Sequence, residues 1–259
     1  MLIDTHSHIY AEEFDLDRDE TISRAKAAGV EHIVLPNIDS SSIERLSSLA
    51  KSDAEYFSVA NGLHPTSVGA GYKAELEYIY SDATFAMLPN VVAIGEIGMD
   101  LYWDDTYQDE QKYVLDFQLS YAQEKGFPVI IHCRNAFSQI MDVMSAGDRN
   151  GLTGVFHCFS EDYEAAKRVV DMGFYIGVGG VLTYKKSLLP DVVSRIPLSA
   201  VLLETDSPYL APVPHRGKRN ESSFLTSVAE KLSLVLARDC SEICEITTMN
   251  AKKLFGLLR

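Results

Sequence analysis

Short apolar runs rich in valine and isoleucine recur along the chain and alternate with segments whose apolar residues have helical spacing. The runs predict eight β-strands, at Leu2–Thr5, His32–Pro36, Phe57–Gly62, Val91–Gly95, Pro128–His132, Gly154–His157, Phe174–Gly177 and Ala200–Glu204. The predicted helices include Asp17–Ala28, Ser42–Ala50, Asp109–Lys125, Asn135–Met144, Tyr163–Met172 and Lys186–Arg195, and two more, Ser222–Ala237 and Ser241–Leu257, close the chain.

Strands that alternate with helices indicate an α/β fold with a parallel sheet covered on both faces. At 259 residues, the first interpretation is a single-domain (β/α)8 TIM-type barrel with additional C-terminal helices. A doubly wound open sheet is the alternative, but no G-x-G-x-x-G segment follows a strand. Because no linker-like stretch interrupts the pattern, one domain is expected over residues 1–259.

The charge and the cysteines narrow the class of protein. A formal net charge of −14 disfavours a protein that coats a nucleic-acid backbone, although it permits a local pocket for one or two phosphates. Four irregularly spaced cysteines are too few for a disulfide framework and favour a reducing, cytoplasmic location. The sequence shows neither a secretory signal nor an apolar stretch of membrane-spanning length, so we expect a soluble protein.

Candidate ligands collect at the predicted strand ends, where the active sites of such barrels lie. Alone, a histidine at a strand end is more often a hydrogen-bonded loop residue than a metal ligand. Here the strand ends carry four imidazoles and two carboxylates, a set that suits zinc, manganese or similar ions: His6, His8, His132, His157, Glu96 and Asp206. Six ligands are too many for one tetrahedral catalytic ion, and they fit two ions that share a bridging group.

The motifs around these residues resemble those of the TatD family of metal-dependent deoxyribonucleases, within the amidohydrolase-type metal-dependent hydrolases. They span nearly the whole chain in the expected order: Asp4-Thr5-His6-Ser7-His8, Gly62-Leu63-His64-Pro65, Gly95-Glu96-Ile97-Gly98-Met99-Asp100, the segment from Pro128 to Arg134, His157-Cys158-Phe159-Ser160, the segment from Glu204 to Leu210, and the segment from Arg216 to Asn220.

The resemblance implies a somewhat distorted barrel that holds two divalent ions, which could be Mg, Mn or Zn. One ion would lie near His6, His8 and Asp206. The other would lie near His132 and His157, with Glu96 bridging the two. The alternative for Glu96 and Asp206 is a structural carboxylate at the rim of the barrel.

The implied activity is hydrolysis of phosphodiester bonds of DNA by a metal-activated water, with Asp206 orienting or deprotonating that water and Glu96 completing the catalytic pair. The substrate would be DNA ends or short single strands, with neither a membrane nor an obligate protein partner. Basic side chains favoured as contacts to the scissile phosphate are Arg134, Arg216 and Lys218, with His64 as a further contact. The alternative for the basic stretch His215–Asn220 is a solvated loop.

Other interpretations stay open. The same metals could serve a hydrolase of a small amide, lactone or phosphoester, and a barrel of this kind could also be a non-catalytic binding module. The aromatic residues Tyr102, Trp103 and Tyr107 follow Glu96, and they could stack on a nucleobase or pack within a loop.

Overall fold

The computed structural model describes residues 1–257 of the chain. Its eight strands are β1 (Leu2–Asp4), β2 (Val30–Pro36), β3 (Phe57–Ala60), β4 (Val91–Asp100), β5 (Val129–Arg134), β6 (Gly154–Phe156), β7 (Tyr175–Val178) and β8 (Val201–Leu203). Its α-helices are α1 (Arg18–Ala27), α2 (Ile43–Ser52), α3 (Tyr72–Ile79), α4 (Asp82–Met87), α5 (Gln108–Lys125), α6 (Phe137–Ala146), α7 (Tyr163–Asp171), α8 (Leu189–Arg195), α9 (Leu225–Leu236) and α10 (Cys240–Phe255).

The strands follow one another in a single eight-stranded sheet in the order of the chain, β1 to β8. Neighbouring strands run parallel, as β1–β2, β3–β4, β4–β5 and β7–β8 illustrate. This confirms the predicted (β/α)8 TIM-type fold, and α9 and α10 are the predicted C-terminal helices. No helix within residues 1–257 is both long enough and apolar enough to cross a membrane.

Contacts divide the chain into two compact units. The first combines Met1–Leu35 with the chain from Phe156 onward, and the second is Pro36–Val155. The single domain predicted over residues 1–259 stays a prediction, and its last two residues lie outside the described part of the chain.

In the first unit, the first and last strands are joined directly. The N–H of Thr5 donates to the carbonyl oxygen of Leu203 at 3.2 Å, and the hydroxyls of Ser7 and Ser207 are 2.7 Å apart. The N–H of His8 donates to the Ser207 carbonyl at 2.8 Å. These bonds bring the segment after β1 beside the segment after β8, although about 200 residues separate them.

In the second unit, β4 differs from its prediction. The strand continues past Gly95 to Asp100, and its register against β5 shifts between Ile94 and Ile97. The prediction that strand four ends at Gly95 is therefore wrong. The part of β4 after Gly95 was not predicted, because two glycines and a run of mixed polarity break the apolar pattern that indicates a strand.

Candidate active site

The first group of candidate ligands stands after β1. Because side chains alternate along an extended segment, His6 and His8 point to the same side. Their Nε2 atoms lie 3.2 Å apart, and Oδ1 of Asp206 lies 3.6 Å from Nε2 of His6 and 3.8 Å from Nε2 of His8. The other ring nitrogen of His8 is 3.0 Å from the Tyr10 hydroxyl, which fixes the ring orientation. The structure thus brings together the three residues predicted for one ion.

The backbone and Asp4 hold Asp206 in place. Asp206 has a φ of +55°, which is uncommon for a residue other than glycine, and its N–H donates to the His6 carbonyl at 2.9 Å. Asp4 accepts hydrogen bonds from the N–H and the hydroxyl of Thr205, at 3.0 and 2.6 Å. Burial raises the pKa of Asp4 to about 6, although the hydrogen bonds from Thr205 oppose this shift. Asp4 therefore supports the group without being one of its candidate ligands.

His157 and Glu204 form a second group with His6. The rings of His6 and His157 are stacked, with centroids 4.0 Å apart and planes 6° from parallel. Nδ1 of His157 is 3.7 Å from Oε1 of Glu204, and Glu204 also accepts a hydrogen bond from the N–H of Cys158. Glu204 is fully buried, and its second oxygen, Oε2, has no hydrogen-bond partner within the described chain. A Cβ at Gly177 would clash with Oε2, so glycine leaves the space that this carboxylate fills.

The third group lies in the second unit and joins β4, β5 and the loop after β3. Oε1 of Glu96 is 2.7 Å from Nδ1 of His132 and 3.0 Å from Nε2 of His64. The other ring nitrogen of His132, Nε2, is 3.0 Å from Oδ2 of Asp100. Burial raises the pKa of Asp100, but hydrogen bonds from His132 and from the Tyr102 N–H outweigh it and hold this pKa below its usual value.

The hydrogen bonds assign the protons of these two histidines. Nδ1 of His64 accepts the N–H of Thr66 at 3.1 Å, so a neutral His64 carries its proton on Nε2 and donates it to Glu96. A neutral His132 that donates its Nε2 proton to Asp100 turns the lone pair on Nδ1 toward the Glu96 carboxylate. Two acceptors 2.7 Å apart require a proton or a cation between them. His132 and Glu96 therefore suit a cation, whereas His64 acts as a hydrogen-bond donor.

Divalent ions fit these donor sets. Within residues 1–257, three groups place one ligand atom per residue within 4.8 Å of one another: His6 with His8 and Asp206, His6 with His157 and Glu204, and His64 with Glu96 and His132. Ligands about 2.0–2.1 Å from a tetrahedral zinc ion lie about 3.4 Å apart. The separations of 3.2 to 3.8 Å in the first group agree with this value. The sharing of one ion by His132 and His157, and the bridging role of Glu96, stay predictions.

The predicted substrate contacts are exposed cations close in the chain to these groups. Arg134 is the last residue of β5, two residues beyond His132. Arg216 lies with its guanidinium 4.0 Å from the centroid of the Tyr184 ring. Within residues 1–257, neither arginine has a carboxylate oxygen within 4.0 Å, and the same holds for Lys218.

The rest of the basic stretch His215–Asn220 has structural contacts. Asn220 donates from its side chain to the carbonyl oxygens of Thr205 and Tyr209, at 2.8 and 2.7 Å, which attaches the stretch to the segment that contains Asp206. Arg219 forms an ion pair with Asp17 at 2.7 Å. The ring of His215 is stacked on Phe224 with centroids 3.7 Å apart.

Sequence reasoning missed two carboxylates, Asp100 and Glu204. Both stand in motifs that were recognised, and Glu204 precedes Asp206 by two residues. Because residues two apart in an extended segment face the same side, this spacing could have indicated Glu204. Asp100 closes β4 and would have been found only with the correct end of that strand.

A (β/α)8 fold with imidazole and carboxylate groups beside its strand ends is that of a metal-dependent hydrolase. The chain belongs to the family of TatD-related deoxyribonucleases, whose family model matches residues 3–256. This confirms the resemblance to the TatD family that the sequence motifs indicate.

Relatives in this family match the chain over its full length. An uncharacterized metal-dependent hydrolase of Bacillus subtilis, YabD, is 38% identical over 99% of this chain and 100% of its own length. A protein of Erwinia amylovora named 3'-5' ssDNA/RNA exonuclease TatD is 30% identical over 99% of this chain and 100% of its own length. The crystal structure of the TatD homologue YjjV of Escherichia coli has a TM-score of 0.91 at 32% identity and covers 98% of both chains.

Proposed function

We propose that the protein is a nuclease that hydrolyses phosphodiester bonds at the ends of single-stranded DNA with the aid of two divalent ions. The name of the Erwinia relative, a 3'-5' ssDNA/RNA exonuclease, supports a single-stranded nucleic acid as the substrate. The cytoplasmic location and the lack of an obligate protein partner stay predictions.

In this proposal each unit holds one ion. His6, His8 and Asp206 bind the first, with His157 and Glu204 beside it through the shared His6, and Glu96 with His132 binds the second. A bound divalent ion lowers the pKa of water and stabilises charge on a phosphoryl oxygen.

The side chains of the chain supply the remaining steps. Asp206 accepts the proton that the attacking water loses, since its carboxylate stands beside both imidazoles of the first group. Asp100 accepts the Nε2 proton of His132 and so keeps Nδ1 available as a ligand. His64 donates its Nε2 proton to an anionic oxygen, as it does to Glu96 in this structure.

Cations without carboxylate partners support a phosphodiester as the substrate. Nearby arginines such as Arg219 are paired with carboxylates. Arg134, Arg216 and Lys218 have no such partner in the described chain, although the protein has a net charge of −14. A neutral amide or lactone would not need these cations, whereas a phosphodiester does.

The test is an assay on end-labelled single-stranded DNA, with duplex DNA, RNA and a panel of lactones and amides in parallel. We expect release of nucleotides with Mg²⁺ or Mn²⁺ and none with EDTA. The Asp206→Asn substitution should lower kcat by about 10²–10⁴-fold, because it removes the proton acceptor.

Asp191→Asn is the matched control, because Asp191 pairs with Arg195 on the surface of α8. It should leave turnover unchanged. Full activity of the Asp206 variant, or faster turnover of lactones or amides than of any nucleic acid, would contradict the proposed function.

A further inference from the structure

The loop after β4 exposes two aromatic side chains beside a cation. Tyr102 is 53% exposed and Trp103 is 71% exposed, and their rings meet edge to face with centroids 4.9 Å apart. The guanidinium of Arg134 lies 4.1 Å from the Tyr102 ring centroid and 5.1 Å from that of Trp103. Exposed aromatic faces beside a cation form a surface on which a flat ligand can stack.

Asp100 ties this loop to the third ligand group. One carboxylate oxygen, Oδ2, is bonded to Nε2 of His132, while Oδ1 accepts the N–H groups of Tyr102 at 3.0 Å and Trp103 at 3.4 Å. Gln111 fixes Asp100 in turn, because its side-chain oxygen accepts the Asp100 N–H at 2.9 Å. The aromatic pair is therefore positioned by the same carboxylate that orients a candidate metal ligand.

The loop after His64 also lies beside Trp103. A pocket is lined by Thr66 from that loop, by Asp100 at the end of β4, by Trp103 from the loop after β4, and by Gln111 on α5. Thr66 also donates its N–H to Nδ1 of His64. Two residues that line the pocket, Asp100 and Thr66, therefore contact His132 and His64 of the third group.

The charges around the pair distinguish two kinds of ligand. Asp104 and Asp105 follow Trp103 directly and are exposed, so a phosphate on that side would be repelled. Arg134 lies against the Tyr102 ring and has no carboxylate partner within residues 1–257. A flat, uncharged group suits Trp103, and an anion suits Arg134.

We propose that Trp103 is the stacking surface for one base of the bound single strand, while Arg134, held against Tyr102, contacts the adjoining phosphate. The inference rests on the proposed function and adds a subsite for a nucleobase to it. A base presents a flat face and is uncharged, and stacking on an aromatic side chain is tolerant of base identity.

Trp103 is the single tryptophan of the chain, so its fluorescence reports on this position alone. The first experiment adds single-stranded oligothymidylate with cleavage-resistant phosphorothioate linkages to the metal-loaded protein. We expect saturable quenching of the Trp103 emission. An oligonucleotide of equal length and charge that lacks bases at its ends should give little quenching.

The second experiment measures cleavage kinetics. Trp103→Ala should raise KM by about ten- to a hundredfold with a smaller change in kcat, the range that loss of one stacked base corresponds to. Trp103→Phe should retain most of the affinity, because phenylalanine also offers a π-face. The difference between wild type and Trp103→Ala should disappear on the substrate that lacks terminal bases. Tyr113→Ala is the control, since Tyr113, on α5, is also exposed (55%) but packs against Tyr72 of α3.

The outcomes separate this inference from the proposed function. Cleavage by wild type without quenching, with an unchanged KM for Trp103→Ala, would overturn the subsite and leave the nuclease intact. Absence of cleavage by wild type would overturn the nuclease. Even in that case the fluorescence experiment tests the subsite. Trp103 binds a base if oligothymidylate quenches its emission and the oligonucleotide without terminal bases does not.

Discussion

At the scale of single residues, the buried carboxylate of Glu204 is the feature that sequence patterns leave unexplained. Its Oε1 accepts the N–H of Cys158, but its fully buried Oε2 has no hydrogen-bond partner within the described chain. A buried acceptor without a partner costs free energy, and a cation beside His157 would compensate for it. The glycine at position 177 makes room for this oxygen, which gives the Gly-rich end of strand seven a physical purpose.

We therefore predict that Glu204→Gln weakens metal binding. Glutamine has the same shape and can still accept the Cys158 N–H, so the change removes mainly the negative charge. The affinity of the metal-free protein for Mn²⁺ or Zn²⁺, measured by calorimetric titration, should fall by about 10–100-fold, as for other groups that support metal ligands. Glu164→Gln on the exposed side of α7 is the control, and an equal affinity for both variants would refute the role of Glu204.

The sequence located most candidate ligands because strand alternation and strand ends are simple geometric rules. His6, His8 and Asp206 do lie together. The positions of the protons on the histidine rings could not be predicted in the same way. The tautomers of His64 and His132 depend on Thr66 and Asp100, whose approach is a matter of tertiary packing.

At the scale of elements, the strand positions agree with prediction to within a few residues except at the end of β4. Runs of valine and isoleucine identify buried parallel strands well. The short helices α3 and α4 were not among the predicted segments, because each buries only one or two side chains and has little periodicity to detect.

Gly98 explains how β4 continues past its irregularity. Its φ is +144°, and a Cβ there would clash with the carbonyl oxygen of His132 on β5. We predict that Gly98→Ala lowers the free energy of unfolding by about 3 kcal/mol or more, because the two strands must separate. Urea denaturation measures this value.

Gly126→Ala provides the comparison for Gly98→Ala. Gly126 ends α5 with a φ of +73°, but nothing lies within 4 Å of its added Cβ. Gly126→Ala should lower the free energy of unfolding only by the cost of placing alanine in the left-handed conformation, about 1–2 kcal/mol. Similar losses for the two variants would show that the clash with His132 is unimportant.

At the scale of the whole molecule, part of the basic stretch serves stability. Arg219 pairs with Asp17, and Arg24 pairs with both Asp17 and Glu221, so residues about 200 apart in sequence are linked within the first unit. The hydrogen bond from Arg219 is the main reason that the pKa of Asp17 lies well below its usual value. Burial raises the pKa of Glu221, but hydrogen bonds from Arg24 and Ser223 outweigh burial and lower it.

These shifts predict a loss of stability in acid. A carboxyl group whose pKa is lower in the folded state stabilises the fold above its unfolded pKa, about 4, and this contribution is lost as the pH falls further. Asp17→Asn should therefore be less stable than wild type at pH 7, and its urea midpoint should fall less between pH 7 and pH 3.

The control for the acid experiment is Asp171→Asn, which breaks the exposed pair with Lys167 on α7. Its midpoints should follow those of wild type at every pH. If the curve of Asp17→Asn also runs parallel to that of wild type, the link between Asp17 and Arg219 does not contribute to acid sensitivity.

The bonds between the first and last strands set an order of events during synthesis. The second unit is continuous in sequence. In the first unit, the hydrogen bond between Ser7 and Ser207 can form only after another 200 residues have been synthesised. At about 5–20 residues per second, the ribosome takes about 10–40 s to supply that partner. Until then the first group consists only of the two imidazoles after β1, so it is complete only after most of the chain has been translated.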